Sequence, residues 1–225
     1  MTTIVVMAKE CRPGAVKTRL CPPYTPGEAA LIAEASLRDT LHTLDRAPAA
    51  RRVLCLDGAL GFDTRDWEVV PQHPGALDER IAGALEGCRG PTVVVGMDTP
   101  QLTAGHLRAP LEQWPPGVDA WFGPATDGGF WLLGLRDPDG DLVRGIPMSQ
   151  PDTGARQRER LVAAGLSTRD LDTLTDIDTA RSLDAVRPEL RDGHLTRLLA
   201  SLRPEGPVVD RVAEASRTGS PRAPD

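Results

Sequence analysis

The sequence predicts an α/β fold, in which a mostly parallel sheet is covered by helices on both faces. Two observations carry this expectation. Thr3–Met7 (TIVVM) and Thr92–Gly96 (TVVVG) are unbroken runs of β-branched and apolar residues, the pattern of strands buried on both faces. Between strand-like runs the apolar residues recur at helical spacing, so strands alternate with helices through the first half of the chain, as in a parallel sheet with crossover helices. The 225 residues suffice for one domain with a sizeable core.

Each element has its own local signal. After the strand Thr3–Met7, the loop Glu10–Pro26 contains Gly and Pro. Gly27–Leu44 then places Ala30, Leu31, Ala35, Leu37, Leu41 and Leu44 at helical spacing, with Glu28 in the first turn. Arg52–Asp57 reads as a second strand, and Trp67–Val70 as a short third strand closed by Pro71. Ala76–Cys88 is a predicted helix with Leu77, Ile81, Ala84 and Leu85 on one face. Leu102–Gln113 is another, stopped by Trp114-Pro115-Pro116-Gly117. Asp119–Phe122 and Phe130–Leu135 read as strands, and Asp152–Ala164, Asp178–Ala185 and Gly193–Leu202 as helices. A single domain over 1–202 is expected. Residues 203–225, rich in Pro, Gly, Ser and charge without an apolar period, are expected to form a frayed tail.

Composition excludes several function classes. The net charge of −6 argues against a nucleic-acid backbone or an anionic membrane as the main partner. No stretch approaches the ~18 consecutive apolar residues of a membrane span. Ile4–Ala8 is far shorter than a secretory core and reads as a buried strand. Cys11, Cys21, Cys55 and Cys88 form no C-x-x-C pair, so reduced thiols in a cytoplasmic protein are expected. His42, His73, His106 and His194 lack metal-ligand spacing.

Ligands of parallel sheets bind outside the carboxyl ends of the strands. That rule selects three segments. The first, Pro13-Gly14-Ala15-Val16-Lys17-Thr18-Arg19-Leu20, holds one of the chain's two lysines. Gly14 lets backbone N–H groups approach an anion, and Lys17 and Arg19 can grip a diphosphate. A P-loop is excluded, because its two glycine positions hold Cys11 and Val16. An ordinary exposed basic loop is the competing reading. The second segment, Gly96-Met97-Asp98-Thr99-Pro100, offers Asp98 either to a divalent metal or as a cap for the following helix. The third, Asp127-Gly128-Gly129, is equally a hairpin signal. Further on, Asp176-Ile177-Asp178-Thr179 offers two carboxylates, again as a metal ligand or a helix cap.

In this order the segments resemble a family of small bacterial transferases of the GT-A type. The resemblance rests on Lys17-Thr18-Arg19-Leu20 near the N-terminus, Gly96-Met97-Asp98-Thr99-Pro100, Gly123-Pro124-Ala125-Thr126-Asp127-Gly128-Gly129-Phe130 and the late Asp176-Ile177-Asp178-Thr179. Members are described as glycosyltransferases, some associated with radical-SAM genes or arsenosugar synthesis. Phospholactate and molybdenum-cofactor guanylyltransferases are their characterised relatives. The resemblance implies a single-domain, three-layer α/β/α nucleotide-diphospho-sugar transferase fold and Mg²⁺ or Mn²⁺ as cofactor. Lys17 and Arg19 would hold the phosphates, with Gly14 beneath them. Asp98 and Asp178 would bind the metal, Asp127 would orient the acceptor or take its proton, and Gln72 and Arg80 would lie near the nucleotide.

The implied partners are a nucleotide-sugar or nucleoside triphosphate donor and a small-molecule acceptor. The implied activity is glycosyl transfer, with nucleotidyl transfer releasing pyrophosphate as the alternative and a non-catalytic nucleotide sensor as a third reading. Departures from the family pattern bear on the acceptor more than on the nucleotide. Asp78 replaces a glycine, Phe130-Trp131 a tyrosine pair, Ile146-Pro147-Met148-Ser149-Gln150 a Trp-Ser-Thr stretch, and Ala180-Arg181-Ser182-Leu183 a Pro-Glu-Asp-Leu stretch.

Overall fold

Seven strands and six α-helices alternate along the chain in a computed structural model that describes residues 1–64 and 66–202. In order they are β1 (Thr3–Lys9), α1 (Pro26–Asp45), β2 (Arg51–Asp57), β3 (Glu68–Pro71), α2 (Leu77–Glu86), β4 (Thr92–Val95), α3 (Ala104–Glu112), β5 (Ala120–Pro124), β6 (Phe130–Leu135), α4 (Thr153–Ala163), β7 (Thr168–Asp170), α5 (Ala180–Val186) and α6 (His194–Ser201). The expected tail at 203–225 lies outside the described residues.

The strands form one sheet in the order β3-β2-β1-β4-β6-β5-β7. Pairings β1–β2, β1–β4, β2–β3 and β5–β7 are parallel, whereas β6 runs antiparallel to both β4 and β5. A single reversed strand therefore leaves the carboxyl ends of the other six on one edge. The expected single-domain, mostly parallel α/β architecture holds.

Alternation along β1 explains the layers, because successive side chains point to opposite faces. Ile4 and Val6 join Leu37, Leu41 and Leu44 of α1 and Leu107 and Leu111 of α3 in one core cluster. Val5 and Met7 join Ile81 and Leu85 of α2 and Leu161 of α4 on the opposite face. A third cluster, with Leu20, Ile32, Leu183, Leu195 and Leu199, packs the outer side of α1 against α5 and α6. It also anchors the end of the loop after β1 through Leu20, which is fully buried.

Most expected elements shift by one to three residues at their ends. Strand β7 has no counterpart in the sequence reading. Its sequence, Thr168-Arg169-Asp170, has no apolar run, and only the parallel pairing to β5 makes it a strand. The start of α1 follows from a capping box between Thr25 and Glu28, with Pro26 in the first turn. Among the described residues no helix is long and apolar enough to cross a membrane.

The N-terminus of α6 is capped from a distant element. Both carboxylate oxygens of Asp39, on α1, accept backbone hydrogen bonds, from His194 N at 2.7 Å and Leu195 N at 2.9 Å. Asp39→Ala removes the partners of two orphan donors, and we expect a loss of about 1–2 kcal/mol of stability in urea denaturation. An unchanged midpoint would mean that water serves α6 equally well.

Candidate functional site

Three chain segments converge at the carboxyl edge of β1 and β4. The loop after β1 enters a 3-10 turn at Thr18–Leu20, and Lys17 before it adopts a left-handed backbone, φ 48° and ψ 35°. That conformation costs energy in a non-glycine residue. It turns the Lys17 side chain inward, where it is only 6% exposed. The second segment is the end of β4 with Asp98. The third is the stretch 174–178, which turns at Ile177 where Asp178 N donates to Asp176 O at 3.0 Å. It is stitched to Asp98 by Ile177 N donating to Asp98 O at 2.9 Å and to the β5–β6 turn by Thr126 N donating to Leu174 O at 2.9 Å. Ile177 is fully buried, whereas Asp176 and Asp178 on either side of it are half-buried.

Lys17 Nζ stands between two of these carboxylates. It donates to Asp178 Oδ1 at 2.7 Å and lies 2.9 Å from Asp98 Oδ1. The Asp98 contact is an ion pair without hydrogen-bond alignment, since that buried oxygen has no hydrogen-bond partner. Arg19 NH1, on an exposed side chain, lies 3.8 Å from Asp178 Oδ2. Burial works against the Lys17 ammonium, but Asp98 and Asp178 outweigh it and hold its pKa above the ordinary lysine value. Burial also works against the Asp178 carboxylate, and there Lys17, followed by Arg19, keeps the pKa below the usual range.

Asp176 belongs to the sequence pattern without a role of its own there. Burial, then the charges of Asp98 and Asp127, push its carboxyl up to about 7. Asp127 therefore belongs to the same electrostatic group. It sits exposed in the β5–β6 turn, where its Oδ1 accepts from Gly129 N at 2.8 Å. The hairpin reading of Asp127-Gly128-Gly129 is thus correct, and the hairpin lies on the site edge. The cap readings of Asp98 and Asp178 are not, because Thr103 caps α3 and Thr179 caps α5.

Two clefts open along this edge. The smaller, about 120 Å³, is lined by Lys9, Lys17, Arg19, Asp98 and Asp178 among others. The larger, about 450 Å³, lies at the ends of β2 and β3 and includes Asp57, Gln72 and Arg80. Gln72 is held by its Nε2 donating to Ala8 O at 2.7 Å and Cys55 O at 3.0 Å. Arg80 NH1 donates to Asp57 Oδ2 at 2.6 Å and Gln72 Oε1 at 3.0 Å. Gly14 has a positive φ of 76°, and a side chain there would meet nothing within 4 Å. Backbone conformation, not crowding, favours glycine at that position.

Among the described residues no group of three or more His, Cys, Asp or Glu forms a metal cluster. Asp98 and Asp178 nevertheless suit a hard divalent ion completed by substrate oxygens and water, since Mg²⁺ is commonly held by one or two carboxylates plus phosphate. The buried Oδ1 of Asp98, which has the Lys17 ion pair but no hydrogen bond, is the observation that favours this fit.

Residues 40–150 match the profile of a family described as "Uncharacterized protein conserved in bacteria (DUF2064)". A comparison with curated proteins finds no match. Among solved structures, a Desulfovibrio desulfuricans G20 protein provisionally described as a nucleotide-diphospho-sugar transferase is 24% identical, with a TM-score of 0.78 over 88% of this chain and 94% of that one. The 2-C-methyl-D-erythritol 4-phosphate cytidylyltransferase of Thermus thermophilus is 14% identical, with a TM-score of 0.53 over 88% of this chain and 100% of that one. A Mycobacterium tuberculosis H37Rv protein in complex with manganese is 22% identical, with a TM-score of 0.50 over 82% of this chain and 96% of that one. These likenesses establish the fold.

The site geometry makes two predictions. A Cβ at Gly128, where φ is +90°, would lie 1.9 Å from Pro151 O. Gly128→Ala is therefore expected to cost more than about 2 kcal/mol in urea denaturation; a near-neutral change would show that the Pro151 loop yields freely. The second concerns pH. In the metal-free protein Asp176 keeps its proton up to about 7, whereas the unfolded chain releases it near ~4. The native state binds more protons in that window, so its stability falls there as pH rises. Asp176→Asn should match the wild type below about pH 4 and become progressively more stable than it towards pH 7. Parallel stability profiles for the two proteins would contradict this assignment.

Proposed function

We propose that the protein is a metal-dependent transferase that uses a nucleotide-activated donor, acting as a glycosyltransferase on a small-molecule acceptor. The observation that carries the reading is the Lys17 ammonium set between Asp98 and Asp178, with Arg19 beside it, at the edge where α/β sheets bind ligands. The likeness in fold to proteins described as nucleotide transferases supports it. The manganese complex of the mycobacterial protein supports a divalent ion in such a fold.

In this reading the nucleoside occupies the larger cleft beside Gln72 and Arg80, and the diphosphate reaches Lys17 and Arg19. Asp98 and Asp178 hold Mg²⁺ or Mn²⁺, which supplies charge to offset the leaving group. Lys17 and Arg19 add fixed positive charge on the diphosphate, most effective once water is excluded. In glycosyl transfer the bond between the sugar's anomeric carbon and the phosphate oxygen breaks. An acceptor oxygen bonds to that carbon, Asp127 takes the acceptor proton, and a nucleoside diphosphate leaves.

The fold likeness to a cytidylyltransferase favours a second reading. An acceptor oxygen then attacks the α-phosphorus of a nucleoside triphosphate and pyrophosphate leaves. The same cations and carboxylates serve both, and the released product separates them. Calorimetric titration with UDP-, GDP- and TDP-sugars, GTP and CTP, with and without Mg²⁺, is expected to give metal-dependent binding of at least one donor. Asp98→Ala should lower turnover of that donor by roughly 100-fold or more. Binding of none, or binding indifferent to metal, would rule out the proposal. Tight binding without turnover over a broad acceptor panel would favour a sensor.

A further inference from the structure

Lys17 touches one carboxylate from each of the two segments that hold the metal in the proposed function. Its ammonium contacts Oδ1 of Asp98 and Oδ1 of Asp178, at 2.9 and 2.7 Å. Those are oxygens a divalent ion would take, at about 2.0–2.1 Å for Mg²⁺. An ion bonded to both oxygens would stand within a few ångströms of Nζ, with cation facing dication. The side chain is largely removed from solvent, so little water is present to screen that repulsion. The ammonium and the ion therefore compete for one place.

We propose that Lys17 is the resident counter-ion of the Asp98–Asp178 pair and that a divalent ion binds by exchange, displacing the ammonium toward the donor's phosphates. The inference rests on Asp98 and Asp178 being the metal ligands. Space for the displaced group exists, because the 120 Å³ cleft beside it is lined by Lys17 itself together with Lys9 and Arg19. Val16 and Leu20 on either side are buried, and Leu20 N donates to Lys17 O at 2.9 Å, so the displacement is a movement of the long Lys17 side chain rather than of the loop.

Exchange has a consequence that a purely structural lysine lacks. Without metal, Lys17 is spent on carboxylates, and a donor diphosphate meets chiefly Arg19 against the charges of Asp98 and Asp178. With metal, both the ion and the freed ammonium face the phosphates. Metal and donor then bind with positive coupling, and Lys17 takes part in both events with opposite sign: it opposes the metal and supports the donor.

The test uses the full chain and Mn²⁺ alone, with free Mn²⁺ read by electron paramagnetic resonance, for wild type and Lys17→Met. Removing the competing ammonium is expected to tighten Mn²⁺ binding roughly tenfold or more. The same variant should weaken binding of GTP or CTP in saturating Mg²⁺. A second measurement needs no variant. The chain has only two lysines, Lys9 and Lys17, so ¹⁵N-lysine labelling gives two side-chain ammonium signals. Titration with Mg²⁺ should move or broaden the buried Lys17 signal well before that of exposed Lys9. Equal or weaker Mn²⁺ affinity in Lys17→Met, or a Lys17 signal unmoved at saturating Mg²⁺, overturns the exchange while leaving the metal site standing. If neither protein binds Mn²⁺, with or without nucleotide, the exchange and the metal reading fall together.

Discussion

Two aspartates from distant parts of the chain approach closely enough to share one ammonium, and the architecture around the site follows from that ion triad. Asp98 lies three residues beyond β4 and Asp178 80 residues further on, yet both reach Lys17 Nζ within 3 Å. Without a cation between them the carboxylates would repel, and removing one partner of a largely buried pair is generally costly. Solvent screens part of the interaction, because both carboxylates keep more than a third of their side-chain surface exposed. What the triad supplies is therefore position. It ties the loop after β1 to the end of β4 and to the 174–178 stretch. Leu20, buried against α1, α5 and α6, anchors the same loop from its other end.

The reversed strand extends this arrangement sideways. Strand β5 runs in the same direction as β4 and ends on the ligand edge, and β6 starts there and returns antiparallel between them. The β5–β6 turn thus places Asp127 on the same side as Asp98. The turn is braced from behind, where Gly154 N donates to Gly128 O at 2.8 Å and Pro151 packs against the Gly128 backbone. Along the edge, Lys17 and Arg80 are paired with Asp98, Asp178 and Asp57 toward β1, β2 and β4, and Asp127 lies toward β5.

The strands and long helices were legible in the sequence because their signals are local. TIVVM and TVVVG read as buried strands from composition alone, and the helix over 26–45 carries its own cap and apolar stripe. Strand β7 was not legible, since Thr168-Arg169-Asp170 has no strand pattern and is created by its neighbour. Asp98 and Asp178 were legible as metal ligand or cap, and the fold removes the cap reading, because Thr103 and Thr179 make the caps. That Lys17 pairs with both is a contact across 81 and 161 residues, which spacing does not encode. Gln72 and Arg80 emerged from a family resemblance, and the fold places them in a second cleft. Asp176 had a readable signal in its position two residues from Asp178 across the apolar Ile177. Only the three-dimensional charge environment distinguishes it.

Four carboxyl groups, Asp98, Asp127, Asp176 and Asp178, crowd the edge beside Lys9, Lys17 and Arg19, and the Asp176 carboxyl answers by holding its proton to about 7. Crowded carboxyls and a buried ammonium cost desolvation that a fold selected for stability alone would avoid. Lys17 adds backbone strain by adopting a left-handed conformation where it reaches its partners. Strain and crowded charge coincide at the carboxyl edge of the sheet, where ligands of this architecture bind.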